Sequence, residues 1–312
     1  MSDVRTSDTR RFEIRTGLTH DDLVAIEEIQ REIWGPDDIV PVPHLRAVEH
    51  SGGQVAAAFE NDRMIGFSYG FLAVPHGRGM AGPGLHSHMV AVRNEGRGLG
   101  VGQALKWHQR RWALENDLAW ISWTFDPLQA RNARLNLEHL GALAFDYLVD
   151  FYGAMGGPLG GGQSSDRLLA VWQLGSGRVS RLEPGITKPS DDEALARIGV
   201  PASASVTETS SAPQAGRPQA QSISGSVLGP WAVRPSQSTP DAEPLIEAVP
   251  DDVETVRVAV PMEVTRLLSE NPELARRWRG AVGVTMARLL EHNYIAIGFR
   301  DGGYVLKRNI EE

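Results

Sequence analysis

The sequence predicts a mixed α/β domain followed by a small strand–helix–hairpin piece, and three observations lead there. Apolar residues alternate between a period of two and a period near 3.6 several times before residue 175, the pattern of interleaved strands and helices. A stretch from Pro201 to Pro230 is dominated by Ser, Ala, Gln, Pro and Gly, with Glu208 and Arg217 its only charges. Beyond it, one more strand, a long amphipathic helix and a hairpin pattern follow. The length of 312 residues agrees with two units.

Taken in order, Ile14 opens a strand and Thr19 is a helix N-cap with Asp22 three residues on, an acidic relative of the capping box. Leu23, Ile26, Ile29 and Ile33 give that helix one apolar face, and Gly35-Pro36 stops it; a short helix then precedes a hairpin. Its strands are Gln54–Phe59 and Met64–Ala73, joined by Glu60-Asn61-Asp62-Arg63. Pro75 to Gly84 is too rich in Gly and Pro for regular structure. Leu85–Val92 is a strand, about Gly102 to Asn116 a helix, Trp120–Phe125 a strand and Gln129–Leu140 a helix closed by Gly141. Ala142–Val149 and Leu168–Leu174 complete the first domain, joined through Gly153–Gln163. In the C-terminal piece Val253–Val260 is a strand and Asn271-Pro272-Glu273 starts a helix. Leu274, Trp278, Ala281, Thr285 and Leu289 mark its buried face, and Tyr294–Phe299, Asp301-Gly302-Gly303 and Tyr304–Leu306 make a hairpin. The expected organisation is 1–178 as the catalytic domain, 179–245 as a linker disordered at 201–230, and 246–312 as an extension. An extension of that size is marginal alone and is expected to dock on the first domain or on a second subunit.

Composition excludes several classes. A net charge of −8 argues against nonspecific nucleic-acid binding, and zero Cys removes disulfides and thiolate chemistry. The longest apolar runs, Val55–Phe59 and Leu168–Trp172, fall far short of the ~20 residues that span a bilayer, and the N-terminus lacks a signal-peptide core. A cytoplasmic protein with no membrane partner is expected.

The stretch from Leu85 to Leu105 carries the chemistry. A strand runs into Arg97-Gly98-Leu99-Gly100-Val101-Gly102 and then into a helix. Glycines let backbone N–H groups approach an anion, and a helix N-terminus adds partial positive charge. A dinucleotide fingerprint needs G-x-G-x-x-G, and a nucleotide P-loop needs Gly-Lys-Ser/Thr; this segment has G-x-G-x-G followed by Gln103, so neither fits. A glycine turn without a ligand remains the alternative reading of these residues alone.

Arg97-x-x-Gly100-x-Gly102, preceded by Val90-x-Val92, resembles the acyl-CoA motif of the GNAT superfamily of N-acyltransferases. The resemblance covers about Phe12 to Leu174. It implies a mostly antiparallel mixed sheet flanked by helices, and an acetyl-CoA or other acyl-CoA cosubstrate held by the strand edge and the turn's amides. The cofactor-binding residues it implies are Val90, Val92, Arg97, Gly98, Leu99, Gly100, Val101, Gly102 and Gln103, with Asn132 on the helix before Gly141. The region is also similar to a bacterial group of predicted acetyltransferases through Phe151-Tyr152-Gly153 and Asp166-Arg167. Two departures stand out: Leu137 occupies the place of the family's thiolate-protonating Tyr, and Ala130 that of its Asn. The general acid is therefore unassigned, with Tyr147 and Tyr152 as candidates.

His86-Ser87-His88 puts two imidazoles on one face of a strand, and Val90 and Val92 share that face if the strand is unbulged. A similar His-x-His pair in arylalkylamine N-acetyltransferases, a GNAT branch, implies that His88, supported by His86, deprotonates the acceptor amine; imidazole suits this because it titrates near neutrality. Packing histidines and a two-ligand zinc site are the competing readings of the pair, and no third ligand is evident nearby. His108 and His139 read as solvated faces, Lys106, Arg110 and Arg111 as an exposed basic helix face or, with a bound CoA, as contacts to its adenosine 3′-phosphate, and His76 is unassigned. The resemblance implies acyl transfer, with acetyl the expected group, to a small-molecule amine or amino acid by direct attack in a ternary complex. Succinyl or another acyl group, or an inactive CoA-binding regulatory module, are the alternatives; a homo-oligomer is compatible with either.

Overall fold

The computed structural model describes residues 12–36, 39–153, 163–184, 229–250 and 252–308. After β1 (Glu13–Arg15), Thr19 caps the first helix as its sequence predicts. Its hydroxyl accepts from the Asp22 amide at 3.2 Å while the Asp22 carboxylate accepts from the Thr19 amide at 2.9 Å, so two first-turn donors are satisfied reciprocally. Helix α1 (His20–Trp34) buries Leu23, Ile26 and Ile29, and α2 (Val42–His50) adds Val42 and Leu45 to the same layer. Strands β2 (Gln54–Glu60) and β3 (Arg63–Ala73) form the expected hairpin. Its tip places Asn61 and Asp62 at φ 48° and 64°, a left-handed pair that short polar side chains tolerate.

Strand β4 (Gly84–Val92), helix α3 (Val101–Glu115), strand β5 (Trp120–Phe125), helix α4 (Ala130–Arg134), strands β6 (Leu143–Leu148) and β7 (Arg167–Gln173), and α5 (Gly177–Leu182) complete the first half. The helix expected over Gln129–Leu140 is interrupted: α4 passes into a π turn, Leu135–His139, in which the Leu140 amide reaches back to the Leu135 carbonyl at 2.9 Å. Side chains take up carbonyls around this widening. Trp172 Nε1 donates to Leu140 O at 2.6 Å and Arg178 Nη2 to Leu137 O at 2.7 Å.

The C-terminal half comprises β8 (Trp231–Pro235), β9 (Pro244–Ile246), β10 (Thr255–Ala259), α6 (Val264–Glu270), α7 (Pro272–Glu291), β11 (Tyr294–Arg300) and β12 (Gly303–Arg308). Asn271 caps α7 through its Oδ1 and Pro272 fills the first turn. The twelve strands among the described residues join one sheet in the order β1-β2-β3-β4-β5-β7-β6-β11-β12-β10-β8-β9, antiparallel except at β4/β5 and β10/β8. This is the mixed, mostly antiparallel, helix-flanked sheet that was expected. The two halves meet where Ala144 of β6 pairs with Ala296 of β11.

One hydrophobic core crosses that junction. Trp107, Trp123 and Trp172 pack edge to face at 5.0 and 6.0 Å between ring centres, and the same cluster continues into Trp278, Val282, Leu290 and Leu306. The C-terminal strands and α7 thus share one core with the first half. Part of α5, all of β8 and the start of β9 fall within 179–245, where composition suggests a linker; short strands bounded by Pro230, Pro235 and Pro244 leave little periodic signal. Residues 201–228 of the low-complexity stretch, and 154–162 between β6 and β7, lie outside the described residues.

Candidate active site

The site grows from a divergence in the sheet. β4 pairs with β5 in parallel only at Gly84–His86 against Trp120–Ser122, although β4 runs on to Val92 and β5 to Phe125. From Ser87 onward the β5-facing edge of β4 has no strand partner among the described residues, and outward-pointing backbone groups there are available to a ligand. On its other side β4 pairs with β3 throughout, with a bulge: Gly70 opposes Ser87 and Tyr69 opposes Met89, leaving His88 as the extra residue. A bulge re-aims the side chains beyond it. His86 and His88 stay on the face of Phe71 and Tyr69, whereas Val90 and Val92 turn to the α3 face against Val101 and Leu105. The shared parity of an unbulged strand is therefore lost.

β4 leads directly into the glycine turn. A 3₁₀ turn over Asn94–Gly96 is followed by exposed Arg97, Gly98, Leu99 and Gly100. Gly98 and Gly100 both adopt φ 80°, and a Cβ placed on either would meet none of the described residues within 4 Å. Gly100 is the N-cap of α3 and, among the described residues, no side chain caps that helix, so the first-turn amides of Val101, Gly102 and Gln103 keep their donors for another acceptor. Uncapped amides, open space and the Arg97 guanidinium together fit a phosphate group.

On the opposite face four histidines line up with aromatic rings. His76 lies 6.4 Å from His86, and His86 lies 6.2 Å from His88, between ring centres. Tyr69 contacts His88 edge-on at 5.8 Å, and the Tyr69 hydroxyl shares a 2.8 Å hydrogen bond with His44 Nε2. His86 Nδ1 is 3.1 Å from the Ser122 hydroxyl, at the last paired residues of β4 and β5. Burial pushes the His86 imidazole down to about 4, reinforced by His88, His76 and Lys106 as neighbouring positive charges. Burial, then His44, also lowers His88. Both rings are thus neutral at pH 7.

The depressed proton affinity of His86 has a stability consequence. Between pH 6.5 and about 4 the unfolded His86 binds a proton that the folded ring refuses, so stability falls as pH falls through that window. The difference in proton affinity between the two states makes the full cost about 3 kcal/mol. Urea unfolding at pH 7 and pH 4 is expected to show the wild type losing about 2–3 kcal/mol more than His86→Asn; equal losses would mean His86 titrates normally.

Beneath β4, the α3 side is buried and polar. Lys106 is enclosed rather than solvated: its Nζ donates to Ser87 Oγ at 2.8 Å and stands 3.7 Å from the Trp123 ring centre. Ser87 donates to Gln109 at 2.8 Å, Gln109 to Gln54 at 2.8 Å, and Gln54 to Ser68 at 3.1 Å. Burial holds the Lys106 amine well below the ordinary lysine range, a response open to Lys and not to Arg. Arg110 is likewise buried, donating to Leu174 O and pairing with Glu183 at 2.9 Å. Neither side chain belongs to a basic exposed face, because the docked sheet covers that side of α3; Arg111 and His139 are exposed as expected. His108 differs too: it is half-buried and, among the described residues, its Nδ1 has no hydrogen-bond partner.

Asn132 is exposed on α4, while Leu137 is fully buried in the core and carries no polar function. Tyr147 donates to Asp166 at 2.7 Å, and burial with that carboxylate raises it far above an ordinary phenol. Tyr152 is half-exposed and its hydroxyl lies 2.9 Å from Thr124 Oγ1, on the part of β5 beyond its pairing with β4. Among the described residues no three His, Asp or Glu side chains converge as metal ligands. Sequence reasoning missed His44 and Tyr69. Tyr69 was discoverable from its i, i+2 spacing to Phe71 on β3; His44 comes from a separate helix and left no local signal.

No family model matches the chain, and no curated protein sequence matches it. Several solved structures do match. A ribosomal-protein-alanine N-acetyltransferase from Brucella melitensis aligns at 20% identity over 51% of this chain and 98% of its own, with a TM-score of 0.41. The ribosomal-protein-S18-alanine N-acetyltransferase from Escherichia coli aligns at 15% identity over 53% and 95%, TM-score 0.42. Arabidopsis thaliana Naa50 in complex with the bisubstrate analogue CoA-Ac-MVNAL aligns at 14% identity over 52% and 97%, TM-score 0.40.

Proposed function

We propose that the chain is an acyl-CoA-dependent N-acyltransferase that acylates the amine of a small molecule or amino acid by direct attack. The observation that carries this reading is continuous: among the described residues, a β4 edge without a strand partner from Ser87 to Val92 runs into an uncapped α3 N-terminus with open space above Gly98 and Gly100. That is a track of free backbone groups ending in an anion cradle, suited to a ligand with amide groups along an arm and a phosphate at its end.

Acyl-CoA, when bound, supplies an activated acyl thioester. Arg97 and the amides of the turn through Gln103 hold its pyrophosphate, the β4 edge at Val90 and Val92 holds the arm, and Asn132 borders the same cofactor. His88 takes the proton of the acceptor ammonium, directly or through water, because an amine attacks only when neutral. His86, held by Ser122, supports the orientation of His88. The walls beside His88, Tyr69 and Phe71, suit the body of a small amine. With Tyr147 committed to Asp166, Tyr152, whose hydroxyl meets Thr124, is the tyrosine we assign to return a proton to the departing sulfur.

The test is a screen of primary amines and amino acids against acetyl-, succinyl- and longer acyl-CoAs, read by thiol release. Thiol release that depends on an added amine is expected. CoA binding by calorimetry without turnover on any amine would leave a CoA-binding regulatory module, and absence of binding would remove the CoA reading altogether.

A further inference from the structure

The α4 segment borders the proposed cofactor through Asn132, yet it comprises five α-helical residues and a five-residue π turn. Helices this short do not hold themselves. Besides Trp172 and Arg178, the groups that hold this one come from the far end of the chain.

At its start, Asp126 uses both oxygens. Oδ1 accepts from the Leu128 amide at 2.9 Å, shaping the turn into α4, and Oδ2 accepts from Arg279 Nη2 of α7 at 2.9 Å. The adjacent Pro127 carbonyl accepts from the buried Tyr304 hydroxyl of β12 at 2.7 Å. At its end, Glu138 Oε1 accepts from the Phe299 amide of β11 at 2.8 Å, with Arg300 of the same strand 3.7 Å from Oε2. Arg178 bridges the two pieces, donating through Nη2 to Leu137 O at 2.7 Å and Ile297 O at 2.6 Å. Gly298 permits the approach, since a Cβ there would stand 2.8 Å from Glu138 Oε1. Beside it β11 bulges between Ala296 and Gly298.

We infer that the C-terminal piece is a positioning element of the active site, clamping α4 at both ends, and that Glu138 is the residue through which it fixes the π turn and the Asn132 side of the cofactor. This rests on the acyltransferase reading only for its functional readout; the clamp itself is read independently. An acceptor on Glu138 is what the Phe299 amide needs, so Gln should replace Glu where Ala cannot.

The experiment compares Glu138→Ala and Glu138→Gln in the full chain. It measures CoA affinity by calorimetry, KM for acyl-CoA against KM for the amine, and hydrogen exchange over residues 130–140. Glu138→Ala is expected to weaken CoA binding about tenfold, a loss matching one unsatisfied buried amide. It should raise KM for acyl-CoA alone and speed exchange over the π turn, with Glu138→Gln within about twofold of wild type. If Glu138→Ala does not fold, Gly298→Ala displaces the same carboxylate and must give the same signature. Glu138→Ala with wild-type CoA affinity and unchanged exchange, or a Gln variant as impaired as Ala, would overturn the inference. A wild-type protein that binds no CoA overturns the acyltransferase reading instead, and the exchange data then decide the clamp alone.

Discussion

His88→Ala is expected to lower kcat by about 10²-fold or more at neutral pH while leaving CoA affinity unchanged, since a positioned base contributes roughly 10²–10⁴-fold. The argument is geometric before it is electrostatic. His88 is the unpaired residue of the β4 bulge, next to the point where β4 leaves β5, and its ring faces Tyr69 and Phe71 away from α3. Burial lowers its proton affinity, so it is the free base at pH 7 and activity should decline as pH falls below the ordinary histidine range. In the variant, activity should partly return at high pH, where the acceptor supplies its own neutral amine. His86→Ala should cost less. Steady-state kinetics on an identified amine check both, and a double alanine variant with wild-type kcat at neutral pH would reduce the pair to packing.

Gly102→Val is expected to abolish measurable CoA binding in a protein that still folds. Gly102 is the cleaner of the two glycine positions. A Cβ there meets only Val92 Cγ2, at 3.6 Å, and the backbone is ordinary first-turn helix. The fold has no need of Gly at this position, and a β-branched residue in place of Gly changes helix stability by less than about 1 kcal/mol. Gly100→Val is expected to remove binding too, but there φ 80° strains any L-residue, so lost affinity and lost structure would be confounded. Calorimetry on Gly102→Val, with thermal unfolding as the fold control, decides the matter: affinity within about threefold of wild type would show that the ligand does not pass over this turn.

The parts of the fold legible in the sequence were those with local causes. Thr19 with Asp22, Asn271 with Pro272, and Asp301-Gly302 each carry their own capping or turn chemistry, and the structure places a helix start or a hairpin at each. The glycine turn was readable for the same reason. Lys106 and Arg110 were not, because whether a helical position faces water depends on which layer lies against it, and here the sheet and Leu174 do. One bulge residue at His88 reversed the faces of Val90 and Val92, and nothing in a run of alternating residues announces a bulge. The π turn escaped for a related reason: the groups that satisfy it, Trp172 and Arg178, lie more than thirty residues away. The bond of His44 to Tyr69 is tertiary in the same sense.

The seam at β6 sets the order in which the molecule can be made. Its neighbour on one side, β7, follows within the same half, but its other neighbour, β11, begins only at Tyr294. A ribosome adding about 5–20 residues per second takes roughly 7–30 s to cover that interval. Throughout it, the nascent first half carries an open strand edge, the kind of template on which other chains pair. β6 carries its own protection for that time: it is six residues long, bulged between Ala144 and Asp146, and Asp146 sets a carboxylate on it. The strand that joins the two halves in the finished protein is thus shaped for the time it spends without its partner.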